Sequence, residues 1–175
     1  MIVKYIFVLF ISAIVMAFGL PKNILKKVNK EIENTFNVEQ FQLNSKIFPS
    51  NIADALPAKF GSDNLFEIKI SDTLLGYAYV SKAQSKTDYF DYLILFDKDF
   101  IIVKSKVLIY REDYGGEIGS KRWLKQFIGK SQNNILNYRD NIAAISGATI
   151  SVRSMTNAVN DVLQSIKILH QKNLL

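Results

Sequence analysis

Four stretches in the middle of the chain decide the fold: Leu65–Ile70 (LFEIKI), Leu74–Ser81 (LLGYAYVS), Tyr89–Phe96 (YFDYLILF) and Phe100–Tyr110 (FIIVKSKVLIY). Each is rich in β-branched and aromatic residues and is bounded by polar, turn-forming ones, which is the pattern of a strand. The last two are separated only by Asp97-Lys98-Asp99. Antiparallel neighbours accept so short a turn, whereas parallel neighbours need a crossover of a dozen or more residues. The spacing therefore predicts an antiparallel meander and an α+β class, with helices packed on the sheet.

Helical periodicity flanks this centre. Between Pro21 and Phe36 the residues Ile24, Leu25, Val28, Ile32 and Phe36 recur at three- and four-residue steps, the mark of an amphipathic helix. An extended stretch follows around Phe41 to Phe48. Pro49-Ser50-Asn51 then reads as the start of a helix that runs to about Lys59 and ends at Gly61-Ser62-Asp63. A further helix is expected over Ser120 to Ile128. The clearest one begins at Val152, where Val152, Met155, Val159, Val162, Ile166 and Leu169 share one face. The chain divides into a signal peptide or membrane anchor at 1–20, a linking helix at 21–40 and one folded domain at 41–175. A length of 175 residues with 49% hydrophobic content suits a single core.

Lys4 is followed by an uncharged apolar run, Tyr5 to Leu20, that closes on Ala17-Phe18-Gly19, the pattern of an export signal. As a helix this run spans roughly 24 Å, short of the roughly 30 Å hydrocarbon core, so cleavage and retention as an anchor both remain open. The expected location is the extracytoplasmic face of the cell membrane, or the periplasm after cleavage. The net charge of +6 owes only Lys4 to the first 19 residues. A basic surplus reads as an ordinary solvated surface or, alternatively, as one suited to anionic headgroups or an acidic partner; the basic residues are scattered and the chain reads as exported, which argues against nucleic acid. There is no cysteine, so disulfides, thiolate nucleophiles, iron–sulfur clusters and cysteine-held zinc are excluded. Redox chemistry would have to come from a bound cofactor. The single histidine, His170, reads as a surface residue, and no catalytic residue or metal site is indicated.

Two segments place glycine and small polar residues between confident elements. Ser146-Gly147-Ala148-Thr149, followed by Ile150, Ser151 and Arg153, lies where the long C-terminal helix begins. Unpaired backbone N–H groups and the helix dipole favour a phosphate there. The same residue types also serve as an ordinary Ser/Thr cap on a tight turn, and residue type alone does not choose between the two. The second segment, Arg111 to Gly119, carries Glu112, Gly115 and Gly116 ahead of Lys121, Arg122, Trp123 and Phe127. The four-residue spacing of Trp123 and Phe127 favours packing together in the core. Asp72, Asp88, Asp91, Asp97 and Asp99 read as turn and solubility residues.

The Ser146–Thr149 tetrad, with Ile150-Ser151 and the amphipathic helix after it, resembles the attachment sequence of the FMN-binding domain family. That family includes the C subunit of the sodium-pumping quinone reductase and the G subunit of the Rnf complex. The resemblance covers roughly residues 62–169 and extends to the order of parts. It implies FMN as cofactor, esterified through its phosphate to Thr149 by a flavin transferase. Ser146, Gly147, Ala148, Ser151, Arg153, Glu112, Gly115 and Gly116 are expected around it. There is one departure: where the transferase usually reads an aspartate three residues before the serine, this chain has Ala143, and the nearest upstream carboxylate is Asp140.

The resulting expectation is an electron-transfer subunit with a membrane redox partner protein. Two alternatives stand beside it: a flavin-dependent reductase of a small substrate, and a flavin-free binding module with the same fold.

Overall fold

The computed structural model describes residues 19–175. The export signal or anchor expected over residues 1–20 lies almost wholly outside the described residues. Among the described residues, no helix is long and apolar enough to cross a membrane.

The centre is a five-stranded sheet in the order β1-β2-β3-β4-β5, with every neighbouring pair antiparallel. Its strands are β1 (Gln42–Ser45), β2 (Leu65–Ile70), β3 (Thr73–Gln84), β4 (Tyr89–Asp97) and β5 (Ile102–Ile109). The meander and the α+β class expected from the sequence are those observed. The long β3–β4 hairpin, paired from Gly76↔Asp97 to Gln84↔Tyr89, is its spine.

Both faces of the sheet are covered, and side-chain alternation sorts the residues between them. On one face Tyr77 and Tyr79 of β3 and Phe90, Tyr92, Ile94 and Phe96 of β4 pack with Val152, Met155, Val159, Val162, Ile166 and Leu169 of the C-terminal helix. On the other, Phe66, Ile68, Ala78, Val80, Leu93 and Leu95 meet Ile24, Val28 and Ile32 of α1 (Lys22–Phe36). Burial on both sides explains why β4 reads as a nearly continuous apolar run. Polar contacts add to the packing of α1: Lys27 Nζ donates to the Leu108 carbonyl at 2.7 Å, and Glu31 pairs with Lys104 and Lys106 of β5.

Several local expectations are corrected. The helix expected from Pro49 to Lys59 is only the short α2, Ser50–Ala53. Pro57 disfavours helical backbone at Leu56, and the chain turns inward to bury Leu56, Ala58 and Phe60, with the Ala58 amide donating to Ser165 Oγ at 3.0 Å. The helix expected over Ser120–Ile128 is α3 (Lys121–Leu124) continued by a 3-10 turn at Lys125–Phe127. The last helix, α4, starts three residues earlier than its apolar face suggested and spans Thr149–Gln171. Asp91 is no turn residue; it is buried within β4 and paired with Arg111. His170 is not free on the surface: its ring meets Phe100 edge-on at 5.4 Å, and its Nδ1 lies 2.8 Å from Gln132 Oε1.

Candidate functional site

Thr149 is the first residue of α4, and the residue before it, Ala148, has no side chain able to cap the helix. The reading of this turn as an ordinary Ser/Thr cap is therefore not realised. Ser146 is exposed and Gly147 takes the left-handed conformation, φ 79°. The opening amides of α4 consequently lack the side-chain acceptor that usually satisfies a helix start.

A groove of about 600 Å³ runs along this helix start, lined by Lys86, Thr87, Tyr110, Glu112, Tyr114 and residues 147–151. That volume is within the usual range for a small-molecule site. A second cavity of about 590 Å³ opens on the α1 face beside Leu20, Ile24, Asp91 and Arg111, but it contains none of the tetrad. The groove is the candidate site because the two sequence segments meet there.

The meeting is close. Gly115 has φ 80°, and a Cβ on it would lie 3.0 Å from Ala148 Cβ and 3.1 Å from Tyr110 Oη, so two minimal side chains let the loop rest on the helix start. Gly116, with nothing near a would-be Cβ, has no such role. Tyr110 Oη donates to the Tyr114 carbonyl at 3.1 Å. Its proton is thereby committed, so the buried Ser151 hydroxyl, 3.0 Å away, donates to Tyr110. This relay, which the sequence did not announce, fixes loop and helix together on the groove wall. Tyr114, 84% exposed, and Ile150, 50% exposed, leave apolar surface along the groove.

Glu112 lines the groove, but its carboxylate is engaged. Oε1 accepts from the amides of Thr87 and Asp88, and Oε2 from the Thr87 hydroxyl. The Ser85 hydroxyl beside it and then these turn donors hold the carboxyl at about 2. It is an anion throughout the neutral range.

Arg153 does not line the groove. Its guanidinium sits over the Tyr138 ring, 4.9 Å from the centroid, and that of Arg139 is 5.3 Å from the same ring. The Tyr138 hydroxyl is buried without a hydrogen-bond partner of good geometry. The Thr149 side chain beside it, and after that the Arg139 and Arg153 cations, favour its phenolate and lower its pKa below the usual value. Sequence reading missed Tyr138 and Arg139, which lie in an irregular loop; only the fold brings that loop to Thr149.

Ala143 is exposed, while its backbone is held at both ends. Its carbonyl accepts from Trp123 Nε1 at 2.8 Å and its amide donates to Gln126 Oε1 at 2.7 Å. Trp123 also meets Phe127 edge-on at 5.2 Å, so the pair packs in the core as expected. Among the described residues, no group of three His, Asp or Glu side chains is placed to hold a metal ion.

Residues 88–164 match the family described as the FMN-binding domain. The matched segment begins in the β3–β4 turn and ends inside α4, so it contains almost the whole groove wall. No curated protein matches the chain.

Proposed function

Because residues 88–164 belong to the FMN-binding domain family and FMN is the cofactor of that domain, we propose that this protein is an electron carrier holding FMN by a phosphoester at Thr149. The observation that carries the reading is the place of Thr149: it is the first residue of an uncapped helix and lines a groove of suitable size. Opening amides without a side-chain acceptor suit a phosphate. The exposed Tyr114 and Ile150 offer apolar surface for a flavin ring to cover.

When bound, FMN supplies the redox chemistry, taking up and releasing electrons. The chain's own residues bind and orient. The Ser151–Tyr110–Tyr114 relay sets the width of the groove, and the Gly115–Ala148 contact lets its walls approach. Glu112 gives both oxygens to the β3–β4 turn and stays ionised, so it acts as a brace and moves no proton near neutrality. A carrier needs no more than this, whereas a small-molecule reductase would also need a substrate-side acid or enclosure.

The wider setting belongs to the same proposal. The apolar run Tyr5–Leu20 and its closing Ala17-Phe18-Gly19 support export, with the domain outside the cytoplasm, tethered to the membrane or released by cleavage. A flavin transferase would load Thr149, and a membrane redox protein would exchange electrons with the carrier.

The test is coexpression of the full chain with a flavin transferase, followed by intact mass and visible spectrum after unfolding, beside Thr149→Ala. Joining Thr149 Oγ1 to the phosphorus releases the threonine hydroxyl proton and one phosphate hydroxyl, together as water. The expected product is therefore yellow and heavier by FMN less one water, and the variant is neither. Flavin released on unfolding would mean binding without the bond. A colourless wild type would end the carrier reading, and turnover of a small substrate without any protein partner would replace it with a reductase.

A further inference from the structure

Three positive features gather around Tyr138, whose hydroxyl adjoins the Thr149 side chain, without a matching anion. Arg139 and Arg153 both place their guanidinium groups over Tyr138, at 5.3 and 4.9 Å from its centroid. Among the described residues neither makes an ion pair. The third feature is the start of α4, where the macrodipole is positive. The nearest acidic residue in sequence, Asp140, points its Oδ2 towards Asn137 Nδ2 at 3.5 Å. The Tyr138 hydroxyl, buried and without a partner of good geometry, completes the cluster.

An anion would relieve what this arrangement leaves open: two like charges side by side at an exposed surface and a hydroxyl without a partner. Arg139 also holds a left-handed backbone, φ 68°, a conformation uncommon outside glycine, asparagine and aspartate. The Arg139 amide donates to the Ile142 carbonyl at 2.8 Å, and that turn carries its guanidinium to Tyr138. Tyr138 is the shared platform on which two long, mobile cations are ordered in advance.

We infer that Tyr138, Arg139 and Arg153 form an anion clamp that holds the phosphate of FMN beside Thr149 and makes the site selective for the phosphorylated flavin. The inference rests on the FMN reading above and adds to it the residues that recognise the phosphate. The two guanidinium groups neutralise the phosphate charge, and the Tyr138 hydroxyl donates to one of its oxygens. Charge-assisted contacts of this kind are stronger than neutral ones, and the planar guanidinium suits phosphate geometry. None of the three residues lines the groove where the ring would lie, so the clamp acts on the phosphate alone.

The measurement is equilibrium binding of FMN and of riboflavin to the flavin-free full chain in detergent, for wild type, Arg139→Gln/Arg153→Gln and Tyr138→Phe. The clamp predicts a wild-type preference for FMN on the order of a hundredfold, about tenfold per guanidinium contact. The double variant should lose most of that preference while its riboflavin affinity stays put. Tyr138→Phe, which keeps the aromatic platform, should lose a smaller part. Equal FMN and riboflavin affinity in the wild type, or a preference that survives the double substitution, overturns the clamp and leaves the flavin reading standing. Binding of neither flavin, with no covalent loading by the transferase, overturns both.

Discussion

Glu112 and Thr87, 25 residues apart, are joined twice: the Thr87 amide donates to one carboxylate oxygen at 2.6 Å and its hydroxyl to the other at 2.9 Å. The Asp88 amide adds a third bond at 3.2 Å. The Ser85 hydroxyl beside this carboxyl is the strongest single influence on it, followed by the Thr87 and Asp88 bonds. The folded state lowers the carboxyl from 4.5 to about 2. A lowered pKa stabilises the fold above the ordinary value, and the gain disappears as pH falls through the folded value. Wild type should therefore melt above Glu112→Gln at pH 7, with the gap closing between pH 4.5 and about 2. A gap independent of pH over that window would show that the ionised form is not what braces the turn.

Gly115 and Gly116 are neighbours with opposite expectations. At Gly115 an added methyl meets Ala148 and Tyr110 at 3.0 and 3.1 Å in a left-handed backbone; at Gly116 it meets nothing within 4 Å. Gly115→Ala should cost about 1–2 kcal/mol in urea unfolding and weaken flavin retention, since the Ala148 turn must shift. Gly116→Ala should stay within about 0.5 kcal/mol. Equal costs at the two positions would refute the close contact between loop and helix start.

The difference between these two glycines was not legible in the sequence, although both were expected at the site. What was legible came from local pattern. Richness in β-branched and aromatic residues marks the strands, and β2 was found to the residue because turn-formers bracket it. Pattern failed where a distant partner decides. Asp91 resembles the turn aspartates around it until Arg111 is folded alongside, and His170 looks peripheral until Gln132, 38 residues away, reaches it. Tyr138 and Arg139 carry no periodicity at all, whereas Thr149 was singled out by its tetrad. The hydrogen-bonded roles of Ser151 and Glu112 depend on Tyr110 and Thr87, contacts that span 41 and 25 residues.

Ala143 sits where the resemblance expects an aspartate, and its surroundings can accept one. Both backbone groups are held, by Trp123 and Gln126, and the side chain faces solvent. Ala143→Asp should thus leave stability within about 0.5 kcal/mol of wild type. If the transferase reads that carboxylate, the loaded fraction after coexpression should rise, as measured by intact mass at matched expression. An unchanged or lower fraction, with the fold intact, would mean that loading of this chain does not depend on an acid at that position.

Arg111 forks between two acceptors on β4: Nη1 donates to the Tyr89 carbonyl at 2.6 Å, and Nη2 pairs with Asp91, whose side chain is 6% exposed. The pair ties the end of β4 to the residue between Tyr110 and Glu112, both of which line the groove at the start of α4. Removing only the cation would strand a buried carboxylate. The loss usual for such a break, about 3–5 kcal/mol, is tempered here because the arginine side is one-third exposed. Arg111→Ala should accordingly cost about 2–3 kcal/mol in urea unfolding. Arg111→Lys should fall between that variant and wild type, since one ammonium cannot reproduce the planar fork. Asp91→Asn combined with Arg111→Met should be less damaging than Arg111→Ala, because no unpaired charge is left inside. An Arg111→Ala protein as stable as wild type would mean that water reaches Asp91 freely, and the ion pair would then be a surface contact with no hold on the groove.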